Sequence, residues 1–67
     1  MTILNKLKDG CSFTGTHFPG WAKATSLNEE SNVLEVRCVY KGSEWAETWN
    51  LQHTVWGFEN NEYRFLD

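Results

Sequence analysis

Two runs of alternating side chains, joined by a glycine, constrain this chain more than anything else in it. Leu34, Val36, Cys38 and Tyr40 alternate with Glu35, Arg37 and Val39, and after Lys41-Gly42-Ser43 a second alternation carries Trp45, Glu47 and Trp49. A period of two is the mark of a strand with one buried face. Read as a Gly-first type II′ turn, Gly42-Ser43 closes an antiparallel hairpin. That turn sets Lys41 opposite Glu44, Tyr40 opposite Trp45, Cys38 opposite Glu47, Val36 opposite Trp49 and Leu34 opposite Leu51.

The flanking segments extend this nucleus. Ile3, Leu4 and Leu7 fall on one helical face between Thr2, a residue type suited to an N-cap, and Gly10, suited to the left-handed residue after a helix. A short N-terminal helix is expected there, with an edge strand as the alternative. Cys11 to Phe18 alternates loosely and leads into Phe18-Pro19-Gly20-Trp21, which reads as a type II turn forming a corner. Trp21 to Leu27 reads as another strand, and the polar Asn28-Glu29-Glu30-Ser31-Asn32 as an exposed loop.

After Leu51 the alternation fades through Gln52-His53-Thr54 and resumes at Val55-Trp56-Gly57-Phe58. Asn60-Asn61 then suits a tight turn, because Asn tolerates positive φ. This predicts a C-terminal hairpin in which Phe58 faces Tyr63 and Trp56 faces Phe65.

With 67 residues the chain has room for one hydrophobic core. The expected fold is therefore a single small domain over residues 1–67, mainly β, or α+β with one short N-terminal helix. Its architecture is a small antiparallel sheet or partly open barrel of four to six strands. Four Trp, four Phe and two Tyr allow a core to be built from few positions.

Composition narrows the function classes. Nine acidic against six scattered basic residues give a formal net charge of −3, the wrong sign and arrangement for tracking phosphates, so direct nucleic-acid binding is not expected. No apolar run approaches membrane-spanning length and no basic-then-apolar leader is visible, so neither a membrane association nor export is expected. Cys11 and Cys38 are too few for a disulfide-built miniprotein, and two reduced thiols in a cytoplasmic setting are the expectation.

Chemical motifs are absent. There is no phosphate loop, nucleophile elbow, His-Glu-x-x-His or Cys-x-x-Cys. Cys11, His17, Cys38 and His53 are chemically a zinc set, but without the close Cys pair that pins a structural site, so no metal and no cofactor are assigned. A Cys38-His53 nucleophile would need a spatial proximity that nothing in the sequence supplies.

The candidate binding residues are aromatic. The hairpin register places Tyr40, Trp45, Glu47 and Trp49 on one face, an acid among rings that suits a cation or a partner's Lys or Arg. Trp56 and Phe58 are added as candidate interface anchors. In the competing reading these aromatics are the core and Glu47 sits at its margin.

The expected function is a small, non-enzymatic protein-binding or inhibitory accessory module of the kind bacteria and phages encode, with a protein partner and self-association through a strand edge. A small-ligand or nucleotide binder built on stacked aromatics is the alternative, and a small metal protein or enzyme the third.

Overall fold

A computed structural model describes residues 2–66. Helix α1 (Ile3–Lys8) starts where Thr2 Oγ1 accepts the Asn5 N–H at 3.1 Å, and ends on Gly10 in the left-handed region at φ 76°. The Gly10 and Cys11 N–H groups return to the Leu7 and Lys6 carbonyls, which closes a Schellman motif. The N-terminal helix is thus present with both expected end residues in place.

Five strands follow in one open sheet: β1 (Phe13–Gly15), β2 (Phe18–Asn28), β3 (Val33–Tyr40), β4 (Ser43–Asn50) and β5 (Tyr63–Phe65). Their spatial order is β4-β3-β2-β1-β5, and each neighbouring pair is antiparallel. The mainly-β expectation holds, with a second helix, α2 (Leu51–Glu59), between β4 and β5. No helix among the described residues is long and apolar enough to cross a membrane.

The central hairpin forms with a corrected turn. Its two central residues are Lys41 and Gly42, at φ 49° and 81°, a pair of positive values that defines type I′ and not the Gly-first II′. Tyr40 therefore pairs with Ser43, Cys38 with Trp45, Val36 with Glu47 and Leu34 with Trp49. The slide is by two residues. Because side chains repeat every two, each one keeps its expected face.

A second correction concerns Pro19-Gly20, which lies inside β2. The reversal is at Thr16-His17, with Gly15 opposite Phe18, while Phe13 pairs with Ala22. Between those pairs Pro19, Gly20 and Trp21 stand against Thr14 alone, a bulge that Thr14 secures by donating its hydroxyl hydrogen to the Gly20 carbonyl. Proline is admitted where the ladder is interrupted. A side chain at Gly20 would meet the Val39 carbonyl oxygen at 1.9 Å, so this glycine serves close strand approach.

The third correction is the C-terminal hairpin, whose first strand is helix α2. Its first three N–H groups are all satisfied: Leu51 by the Asn32 carbonyl, Gln52 by Asn32 Oδ1 at 2.8 Å, and His53 by Asn50 Oδ1 at 2.9 Å. Leu51, expected to end β4, is the first residue of this helix. Asn61 does take a positive φ of 63°, as its side chain allows, but in a Schellman motif: the Asn61 and Glu62 N–H groups bond to the Phe58 and Gly57 carbonyls.

The core fills one face of the sheet. Phe13, Ala22, Ala24, Leu34, Val36 and Cys38 line it, and Leu7 of α1 with Leu51, Thr54 and Phe58 of α2 cover it. Phe13 is fully enclosed, with the rings of Trp49, Phe58, Tyr63 and Phe65 around it edge-on at centroid distances of 5.2 to 6.3 Å. The sheet coils far enough for Trp49 of edge strand β4 to stack on Tyr63 of the opposite edge, at 5.9 Å and 26°.

Candidate functional site

Strand β4 places Trp45, Glu47 and Trp49 on the core-facing side of a sheet edge. The two indoles turn their N–H groups inward: Trp45 Nε1 donates to Glu47 Oε2 at 2.5 Å and Trp49 Nε1 to Oε1 at 2.8 Å. These hydrogen bonds, that of Trp49 first and that of Trp45 second, hold the carboxyl below the usual glutamate range against a small opposing effect of burial. Glu47 is thus an exposed carboxylate clasped by two tryptophans through their ring edges.

Trp49 is the junction between this clasp and a cavity. Its ring also meets Phe18 edge-on at 6.0 Å. Beyond it, β4, α2 and the start of β5 border a half-open cavity of about 360 Å³ lined by Trp49, His53, Trp56, Glu62 and Tyr63, together with Asn50, Thr54 and Gly57. A separate, smaller pocket of about 130 Å³ shares Trp49, Glu62 and Tyr63 with it and is completed by Thr16, His17 and Phe18. His53 and Trp56, one helical turn apart, approach to 5.9 Å between ring centroids.

Tyr63 owes its position to two glycines. A Cβ at Gly15 would lie 2.6 Å from one edge of its ring, and a Cβ at Gly57 2.6 Å from the other. The ring occupies a slot that only α-carbons without a Cβ leave open. Burial, with a contribution from the Glu62 carboxylate, raises its phenol above the usual tyrosine range, so it is neutral at physiological pH.

The six residues singled out from the sequence separate into three groups. Trp45, Glu47 and Trp49 are joined by hydrogen bonds, and Trp56 shares the cavity with Trp49. Phe58 is buried in the core and stacks on Phe65 at 4.4 Å. Tyr40 stands at the hairpin end, where the Lys41 ammonium lies 5.4 Å from its ring centroid. Sequence reasoning missed Tyr63 and Glu62 as cavity residues and gave His53 no aromatic partner. The available signal was helical spacing of Asn50, His53, Thr54 and Gly57.

Cys38 is a buried thiol, pushed up by desolvation and then by the nearby Glu47 charge, which suppresses the thiolate a nucleophile requires. Among the described residues no three His, Cys, Asp or Glu side chains are gathered as metal ligands. Compared with known protein families, curated proteins and solved structures, the chain matches none.

Proposed function

We propose that this protein is a non-enzymatic binding module that takes up an extended, basic segment of a partner protein along strand β4. The observation that carries this reading is the edge itself: eight residues, Ser43–Asn50, hydrogen-bonded to β3 on one side only. The opposite edge, β5, has three.

In a two-residue hairpin the pair flanking the turn is hydrogen-bonded, so Ser43, Trp45, Glu47 and Trp49 direct their backbone groups to β3. Glu44, Ala46 and Thr48 direct theirs outward. An added strand would satisfy them, the mode known as β-augmentation. Charge selects the partner. The strand carries Glu44 and Glu47 on its two faces and no basic residue, so Lys or Arg on the incoming segment is complementary. A second copy of β4 brings more carboxylate to the same edge, and a core-facing charge on an edge strand is a recognised guard against self-pairing.

Ala46 is exposed and its N–H points away from β3, so Ala46→Pro removes an outward donor without breaking the hairpin ladder. Capture of a partner by the wild-type protein and its loss with Ala46→Pro, at similar melting temperature, is the expected result. Capture indifferent to Ala46→Pro refutes the edge as the binding surface.

A further inference from the structure

The cavity between β4, α2 and β5 is not needed for strand addition, and its chemistry is specific. It has about 360 Å³, within the roughly 300–1,000 Å³ of small-molecule sites. Four rings line it: Trp49, Trp56, Tyr63 and the His53 imidazole. Trp56 is half exposed although it sits on a helix whose other large apolar side chains turn inward.

The polar groups divide unequally. Asn50 Oδ1 is occupied by the His53 N–H, and the Thr54 hydroxyl donates to the Asn50 carbonyl at 2.9 Å. Both serve the first turn of α2. The Glu62 carboxylate carries the negative charge at the lining, and no Lys or Arg side chain is among the lining residues. The Tyr63 phenol, neutral near pH 7 in any case and pushed further up by burial and then by Glu62, leaves its ring an uncharged wall.

We propose that this cavity binds a small quaternary ammonium group of the trimethylammonium type. Ring faces attract a cation through their quadrupoles, and Trp does so best. A primary ammonium brings three N–H donors that need acceptors, whereas an alkylated one brings none. A site with the rings of Trp49, Trp56 and Tyr63, one carboxylate, and Asn50 Oδ1 and the Thr54 hydroxyl already engaged in α2 suits the second. The Gly15 and Gly57 slot that fixes Tyr63 preorganises the site, since any side chain at either position would push the ring out. The inference is independent of strand addition at β4.

The test is titration with choline, followed through the indole N–H resonances of Trp49 and Trp56. Its neutral isostere, 3,3-dimethyl-1-butanol, is the control. Expected are saturable shifts with choline and at least about five-fold weaker binding of the isostere. Trp56→Ala, read through Trp49, should weaken choline about five-fold or more, and Glu62→Gln several-fold. Co-sedimentation with phosphatidylcholine vesicles assigns the group to a lipid headgroup, and choline binding without it assigns a free ligand. Absence of saturable shifts, equal affinity for the isostere, or choline binding unchanged by Glu62→Gln and by a folded Trp56→Ala overturns the proposal. Should Trp56→Ala not fold, Glu62→Gln and the isostere decide alone.

Discussion

Replacing Gly57 by Ala gives opposite signs depending on whether α2 is regarded alone or in place. In an isolated helix the change stabilises by about 1 kcal/mol, because glycine is the poorer helix former. In the folded protein the new Cβ would fall 2.6 Å from two atoms of the Tyr63 ring, about an ångström inside ordinary contact. The ring has little room to retreat, since its other edge packs against the Gly15 backbone in β1, so closely that a Cβ added there would also fall 2.6 Å from it. It must either strain this slot or leave it and forfeit its contacts with Phe13, Trp49 and Phe58.

Overpacking of this kind costs roughly 2–3 kcal/mol, so the net effect is a loss of about 1–2 kcal/mol. For a domain of this size that lowers Tm by roughly 5–15 °C. Circular dichroism melts of wild type, Gly57→Ala, Tyr63→Ala and the double variant measure it as a cycle. With the ring removed, Gly57→Ala should become neutral or stabilising. A higher Tm for Gly57→Ala in the wild-type background would refute the slot.

Two further outcomes follow from hydrogen bonds at β4 and α2. Glu47→Gln replaces one acceptor oxygen of the clasp by a donor and should cost roughly 0.5–1 kcal/mol at neutral pH, a charged hydrogen bond discounted for solvent exposure. Because the folded-state pKa of Glu47 is depressed, its stabilisation is complete above the unfolded value and is lost as pH falls through the folded one. Urea unfolding across that acid range should show wild type and Glu47→Gln converging, and a constant gap would count against the clasp. Asn32→Ala removes the cap on the Gln52 N–H and places alanine at φ 58°; urea unfolding at neutral pH should show a loss of about 1–2 kcal/mol, and a loss below about 0.5 would remove Asn32 from the helix start.

What was legible in the sequence was local or periodic. Thr2 and Gly10 bracket α1 because capping and left-handed geometry act within one helical turn. The faces of β3 and β4 survive a misassigned turn because the side-chain period is two, and the clasp of Trp45, Glu47 and Trp49 follows from that parity. In the turn the informative signal was glycine in second position, as type I′ prefers, with Lys41 accepting a positive φ.

Tertiary structure decided the rest, because it depends on groups far apart in the chain. Leu51, Thr54, Val55 and Phe58 have helical spacing, yet Val, Trp, Phe and Gly favour strand or turn over helix, and a nine-residue helix is marginal alone. The helix gains its start from Asn32, twenty residues before Gln52, which becomes a neighbour only once β3 and β4 have paired. Pro19-Gly20 has turn chemistry, but Gly20 is taken up by the close approach of Val39 across the sheet. The cavity exists only because coiling brings Trp49 and Tyr63 together from opposite edges and because Gly15 and Gly57, on different elements, open the slot between them. Local preference sets which conformations each segment can adopt, and contacts between distant segments choose among them.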